Sequence, residues 1–117
     1  TLSSRSFAPF MRRLKASGYR IAIYYFSLAN AALAVRRVKL RVSLGGHDVP
    51  ADVVRRRFAR SRDNFFAIYA PLADDWVLFD NSHTGDARPI AEFRNQHLQI
   101  EDVPSWNRLK PKDQPPT

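Results

Sequence analysis

Between Ser3 and Gly18 the apolar residues Phe7, Phe10, Met11 and Leu14 recur at the spacing of one helix face, with Arg12, Arg13 and Lys15 on the other side. Serines supply N-caps, Pro9 is tolerated only near a first turn, and Gly18 supplies a stop, so the pattern predicts a helix over 3–18. Tyr19–Leu28 is apolar at alternate positions of both parities, which predicts an interior strand of a parallel sheet covered on both faces. Asn30 is placed to cap a second helix over 31–44 that turns Val35, Val38 and Val42 to one side. Gly45 and Gly46 end it. Pro50 opens a third helix with Val53, Val54 and Phe58 inward, and a further helical stretch from Ser61 buries Phe65, Phe66, Ile68 and Tyr69.

Trp76–Phe79 predicts a short strand closed by the turn cluster Asp80, Asn81 and Ser82. Arg88–Phe93 predicts a last strand at the sheet edge, and residues 94–117 a proline-rich flexible tail. Helix, strand and helix joined by short connectors predict an α/β domain, a parallel sheet flanked by helices. Two firm strands and a weak one are few for so many helices, because a doubly wound domain has about five or more strands. The pattern is that of half a domain.

Charge sharpens the picture. Of the net +8, residues 1–70 carry 14 Lys/Arg against 3 Asp/Glu, whereas residues 71–117 carry 5 against 8. A basic excess confined to one part points to a localised anion-binding face. The absence of cysteine excludes disulfides, thiolate metal sites and thiol catalysis, and fits a cytoplasmic setting. No apolar run approaches the roughly 20 residues of a membrane-spanning helix, so no membrane partner is expected.

The basic residues concentrate in GGHDVPADVVRRRFARSRDN, residues 45–64, where Arg55, Arg56, Arg57, Arg60 and Arg62 fall within eight positions. Arg57, Arg60 and Asn64 share a helix face, and Arg37 and Arg41 are one turn apart on the preceding helix. Arginines on both sides of a hinge at Gly45, Gly46 and His47 suit closure over a phosphate chain. A solvated basic face accounts equally well for the same residues, and a nucleic-acid interface or an acidic protein partner is the second functional alternative. His47, His83 and His97 have no metal-like spacing, so no metal site is expected from them. Asp74, Asp75 and Asp80 read as turn punctuation, although the loop after a parallel strand keeps Asn81 and Ser82 in play as nucleotide contacts.

The run Gly45-Gly46-His47-Asp48-Val49-Pro50, then Arg55 to Ser61 and Asn64, resembles the GGHxVPxxxIxRRYxRSxxN signature of zeta-toxin-like proteins. Thr1-Leu2-Ser3 resembles the end of their ETTLS segment, and Leu14–Arg20 their LKxxGYR. Pro71–Trp76 with Asp80-Asn81-Ser82 resembles PLADxW…DNS, and the likeness spans residues 1–93. It implies a P-loop kinase fold, ATP and Mg²⁺ as cofactors, a small phosphate acceptor such as a UDP-amino sugar, and an antitoxin partner. It implies further that residues 45–64 form the lid over the triphosphate. Arg57 and Arg60 then act on the phosphates, with Arg37, Arg41, Asn64, Asn81 and Ser82 near the nucleotide and Thr1 on the acceptor side. Phe58 stands where the family has Tyr. The family's Walker A loop, its lysine and its catalytic aspartate have no counterpart here, so the expectation is a C-terminal fragment of such a kinase, inactive alone.

Overall fold

The structure, a computed structural model, describes residues 2–112. Helix α1 spans Phe7–Ala16, strand β1 Ala22–Ser27, α2 Ala31–Ser43 and α3 Ala51–Asn64. A π-helical turn, Phe65–Tyr69, and the short α4, Ala70–Leu72, prolong α3 without a break. Strands β2 (Asp75–Asp80), β3 (Arg88–Arg94) and β4 (His97–Ile100) follow, and α5, Val103–Leu109, ends the described fold. The chain is therefore mixed α/β.

Local chemistry explains the helix limits. Asn30 caps α2 by accepting from the Leu33 amide at 2.9 Å. At its other end, Gly45 has φ +97° and donates to the Val42 carbonyl, and Gly46 donates to Arg41 at 2.7 Å. Those two bonds make a Schellman stop, which needs a residue able to adopt positive φ. The same motif ends α1, where Gly18 and Tyr19 donate to Lys15 and Leu14. In the long helical segment, the Ala70 amide reaches the Phe65 carbonyl just before Pro71, which has no amide to give. A π turn widens the helix at the point where a proline ring would otherwise crowd the preceding turn.

The sheet order is β1-β2-β3-β4. Only β1 and β2 are parallel, from Ala22 beside Asp75 to Ser27 beside Asp80; β2, β3 and β4 run antiparallel. The expected parallel sheet is thus corrected to a mostly antiparallel one. β1, expected in the interior, is an edge strand, with Tyr24 and Phe26 61% and 54% exposed. β3, expected at the edge, lies between β2 and β4, and Pro89 is accommodated where the register shifts at Leu78/Phe79.

The segment expected as a loose tail carries β4 and α5. Arg94 and His97 are joined by a two-residue hairpin whose Asn95 and Gln96 both have positive φ. Asp102 caps α5 by accepting from the Ser105 amide, and Pro104 occupies its first turn, where a proline costs no hydrogen bond. Trp106 stacks on Trp76 with centroids 6.1 Å apart and meets Phe66 edge-on, so the tail helix closes the core. Phe65, Leu78, Ile90 and Ala91, all fully buried, fill that core together with Leu109.

The helical periodicity of α1 is present, but its apolar stripe is only partly covered, with Met11 and Leu14 half-buried. Phe7 and Phe10 are about half exposed, and only Ala8 is buried. α2 likewise leans on α3 through Val35 and Val54 and sends no residue into the main core.

Candidate functional site

The α2–α3 hairpin stands beside the free edge of β1, and between them lies an open cleft of about 630 Å³. Its lining takes in every residue from Ile23 to Leu28, which places the cleft along the strand edge and not over one face. Val38 and Arg41 reach it from α2, and Val54, Arg57 and Phe58 from α3. These positions are one helical turn apart on each helix, so the same spacing that packs the hairpin turns both arginines toward the cleft. Phe7 and Leu2 also line it.

Arg57 and Arg60, expected on one lid face, open onto different hollows. Arg60 and Asn64 line a smaller one of about 340 Å³ with Ser3 and Arg5. The division arises because the N-terminal segment crosses the end of α3: buried Asn64 donates to the Leu2 carbonyl at 2.8 Å, and Tyr69 donates to the Ser4 carbonyl. Asn64 is thereby an anchor for residues 2–4. Arg5 had no sequence signal beyond its charge, since only the crossing brings it to Arg60. Arg37 is half-buried on α2 and lines neither hollow. Among the described residues, Arg37, Arg41, Arg57 and Arg60 make no ion pair or side-chain hydrogen bond, whereas Arg62 pairs with Asp63 at 3.4 Å.

Gly45 and Gly46 form the helix stop described above, and a Cβ on Gly46 would sit 2.9 Å from the Arg41 carbonyl oxygen. His47 is exposed in the connection to α3. Thr1 lies outside the described residues.

At the carboxyl ends of β1 and β2 the two loops are bonded together. The Ala29 amide donates to Ser82 Oγ at 2.7 Å, and the Asn81 amide donates to the Ser27 carbonyl at 2.8 Å. Buried Asp80 accepts from the Ser82 amide at 3.0 Å, with His83 Nε2 at 3.6 Å from its other oxygen. Ser82 therefore holds the corner together, and Asn81 is half-buried beside it.

At the opposite end of the strands, the Asp74 carboxylate accepts from the Ile21 amide at 2.8 Å and faces Lys15 at 3.5 Å. The backbone bond first, and Lys15 and Arg20 after it, hold Asp74 below the usual carboxylate range. Arg20 pairs with Asp75 at 2.8 Å; Asp74 lies in the bend before β2, whereas Asp75 is already the first residue of that strand. Burial pushes the Tyr25 hydroxyl up to about 12, although Ser61 and Arg62 oppose the shift. Among the described residues no group of three or more His, Asp or Glu converges on a metal-sized site, and no helix is long and apolar enough to cross a membrane. The cleft offers cations and apolar surface, so its residues fit an anionic ligand with a flat apolar portion and supply no ligand set for Mg²⁺.

An uncharacterised protein of Haemophilus influenzae is 31% identical to the chain over 58 residues, half of this chain. The matched part spans about two fifths (41%) of that protein's length. No protein-family model and no solved structure matches the chain.

Proposed function

We propose that this chain is the lid-bearing C-terminal part of an ATP-dependent kinase of the zeta-toxin type, acting on a small phosphate acceptor. The observation that carries the reading is the meeting of Arg41 and Arg57, from helices on either side of the Gly45–Gly46 stop, in one cleft beside β1. Two guanidinium groups without counterions suit the oxygens of a triphosphate, and the aromatic and aliphatic lining suits a base. The half-exposed Phe7 and Phe10 of α1, and an edge of β1 that no strand pairs among the described residues, agree with a domain completed by further sheet. Mg²⁺ would arrive on the phosphates. Its role in such kinases is to neutralise charge on them, and the arginines' role is to orient and stabilise the transferring group. Asn64 fixes the lid base by holding the N-terminal segment. Lacking the phosphate cradle, the chain alone performs no transfer.

The test is a titration of the chain with a fluorescent ATP analogue at low ionic strength, with ATP and a DNA duplex as competitors. The expected result is binding in the region of about 1 mM, reversed by ATP and lost in Arg41→Ala/Arg57→Ala. Binding to the duplex that is tighter than to ATP and falls steeply with salt overturns the reading in favour of a nucleic-acid module. Absence of any nucleotide binding overturns it as well.

A further inference from the structure

We infer that the hollow at the amino end of β2 binds a small, uncharged planar heterocycle whose edge carries a carbonyl beside an N–H, held by Lys15, Asp74 and Gln96. The hollow, of about 350 Å³, is lined from α1, the π turn with α4, the bend before β2, all of β2, β3 and β4, and α5. Ligand pockets begin at about 300 Å³, whereas packed interiors leave few voids larger than a water molecule. Its strand residues belong to β2, β3 and β4, so sheet added beside β1 extends away from it. It shares no lining residue with the arginine cleft, and the inference does not rest on the kinase reading.

Ring geometry selects the shape of the ligand. Trp76, Phe93 and Leu98 are register partners on three adjacent strands, so their side chains stand in one row on one face of the sheet. Trp76 lies nearly parallel to Trp106, with 8° between planes and 6.1 Å between centroids, and to Phe93 at 16° and 6.2 Å. A cage for an organic cation sets ring faces around the charge, and the Lys15 ammonium in this lining would repel one. Parallel rings suit a flat partner laid in the same orientation.

Polar groups select its edge. Lys15 Nζ donates to the Leu72 carbonyl at 2.9 Å and stands 3.5 Å from Asp74 Oδ1, which leaves one of its three N–H groups for a ligand. The other oxygen of Asp74 accepts from the Ile21 amide. The two charges offset each other, so the pair favours a neutral ligand and offers it a donor beside an acceptor, the complement of a carbonyl beside an N–H. Gln96 brings a second donor and acceptor from the β3–β4 turn. Its φ of 62° is held where glycine is usual, which is the kind of strain that clusters at ligand clamps.

The experiment uses the whole chain, whose two tryptophans, Trp76 and Trp106, both line the hollow and report on it by their fluorescence. The probes are 2-quinolone, N-methyl-2-quinolone (the same rings without the N–H), and the charged quinoline-2-carboxylate and N-methylquinolinium. 2-Quinolone is expected to quench saturably with a dissociation constant of about 0.1–1 mM, and to bind at least about fivefold tighter than each of the others. Binding is expected to be kept in Arg41→Ala/Arg57→Ala and lost in Ala70→Phe, whose ring would occupy the hollow. Should Ala70→Phe fail to fold by circular dichroism, Gln96→Gly, in a turn that glycine suits, is expected to bind at least about threefold more weakly than the parent. No quenching up to about 5 mM overturns the inference, and so does equal binding of the N-methyl compound. Unchanged binding in Gln96→Gly, or loss of binding in the double arginine variant, overturns it as well. None of these probes carries a phosphate, so failure here is distinguishable from failure of the kinase reading.

Discussion

Individual side chains divide between those that hold the fold and those that face outward for use, and pH separates the first group. Asp102 accepts from the Ser105 hydroxyl at 2.7 Å and from its amide, and these bonds, the hydroxyl first, hold the carboxyl below its ordinary range. Asp74 is lowered by the Ile21 amide and by Lys15. A carboxylate with a lowered folded pKa contributes stability above its unfolded value of 3.8 and loses it as the pH falls through the folded value. Tyr25 acts at the other limb: its neutral form is favoured by burial, so its contribution is complete below 10.0 and lost as the pH rises toward about 12. Urea midpoints measured across pH should therefore fall below about pH 4 and again above about pH 10. Asp102→Asn should flatten the acid limb, and Tyr25→Phe the alkaline one. At this scale the sequence was partly legible. Asn30 announced itself as a cap, whereas Asn64 carried the same amide and became an anchor, because its partner lies 62 positions away.

Elements whose signal is local could be read directly, and those set by neighbours could not. The α2 stop followed from two adjacent glycines, and its geometry makes a specific demand at Gly46. A methyl group there meets the Arg41 carbonyl at 2.9 Å, so Gly46→Ala should cost about 1–2 kcal/mol in urea unfolding. β4 went unread because its turn, Asn95-Gln96, lacks the glycine that usually marks a two-residue hairpin. Both residues nevertheless adopt the left-handed conformation that such a turn requires. Replacing Gln96, φ 62°, by glycine should relieve strain of about 1 kcal/mol, in part offset by a more flexible unfolded chain. A rise of a few degrees in melting temperature is expected, and a fall would mean that the turn is not under strain. α5 was hidden by its prolines. Pro104 has the look of a loop residue, yet it follows Asp102, a capping residue, and precedes Trp106 and Leu109 at core spacing. The candidate lid shows the same division. Its arginines and glycines were visible, but that Arg41 and Arg57 share a cleft while Arg60 opens elsewhere depends on the N-terminal segment crossing α3.

Across the whole molecule the cleft and the core share Leu2, Ile23 and Tyr25, but the arginines of the cleft stand outside the core, which permits them to be perturbed separately. The core lies between the sheet and the π turn and is closed by Trp106, 5% exposed and in contact with both Trp76 and Phe66. A deleted core tryptophan costs about 3–5 kcal/mol, against a total stability of about 5–15 kcal/mol for a domain of this kind. Trp106→Ala should therefore lower the urea midpoint severely or abolish a cooperative transition. Arg41 and Arg57 are exposed and bear no partner among the described residues. Their joint replacement by alanine should leave the midpoint within about 0.5 kcal/mol of the parent, as for other surface substitutions, while removing binding of the triphosphate. The decisive comparison is between the two variants in the same pair of measurements. If the arginine variant unfolds as easily as the tryptophan variant, the hairpin is held by its charges and Arg41 and Arg57 are structural. If stability is kept and ligand affinity is lost, the cleft beside β1 is a binding site carried by a core that does not depend on its arginines.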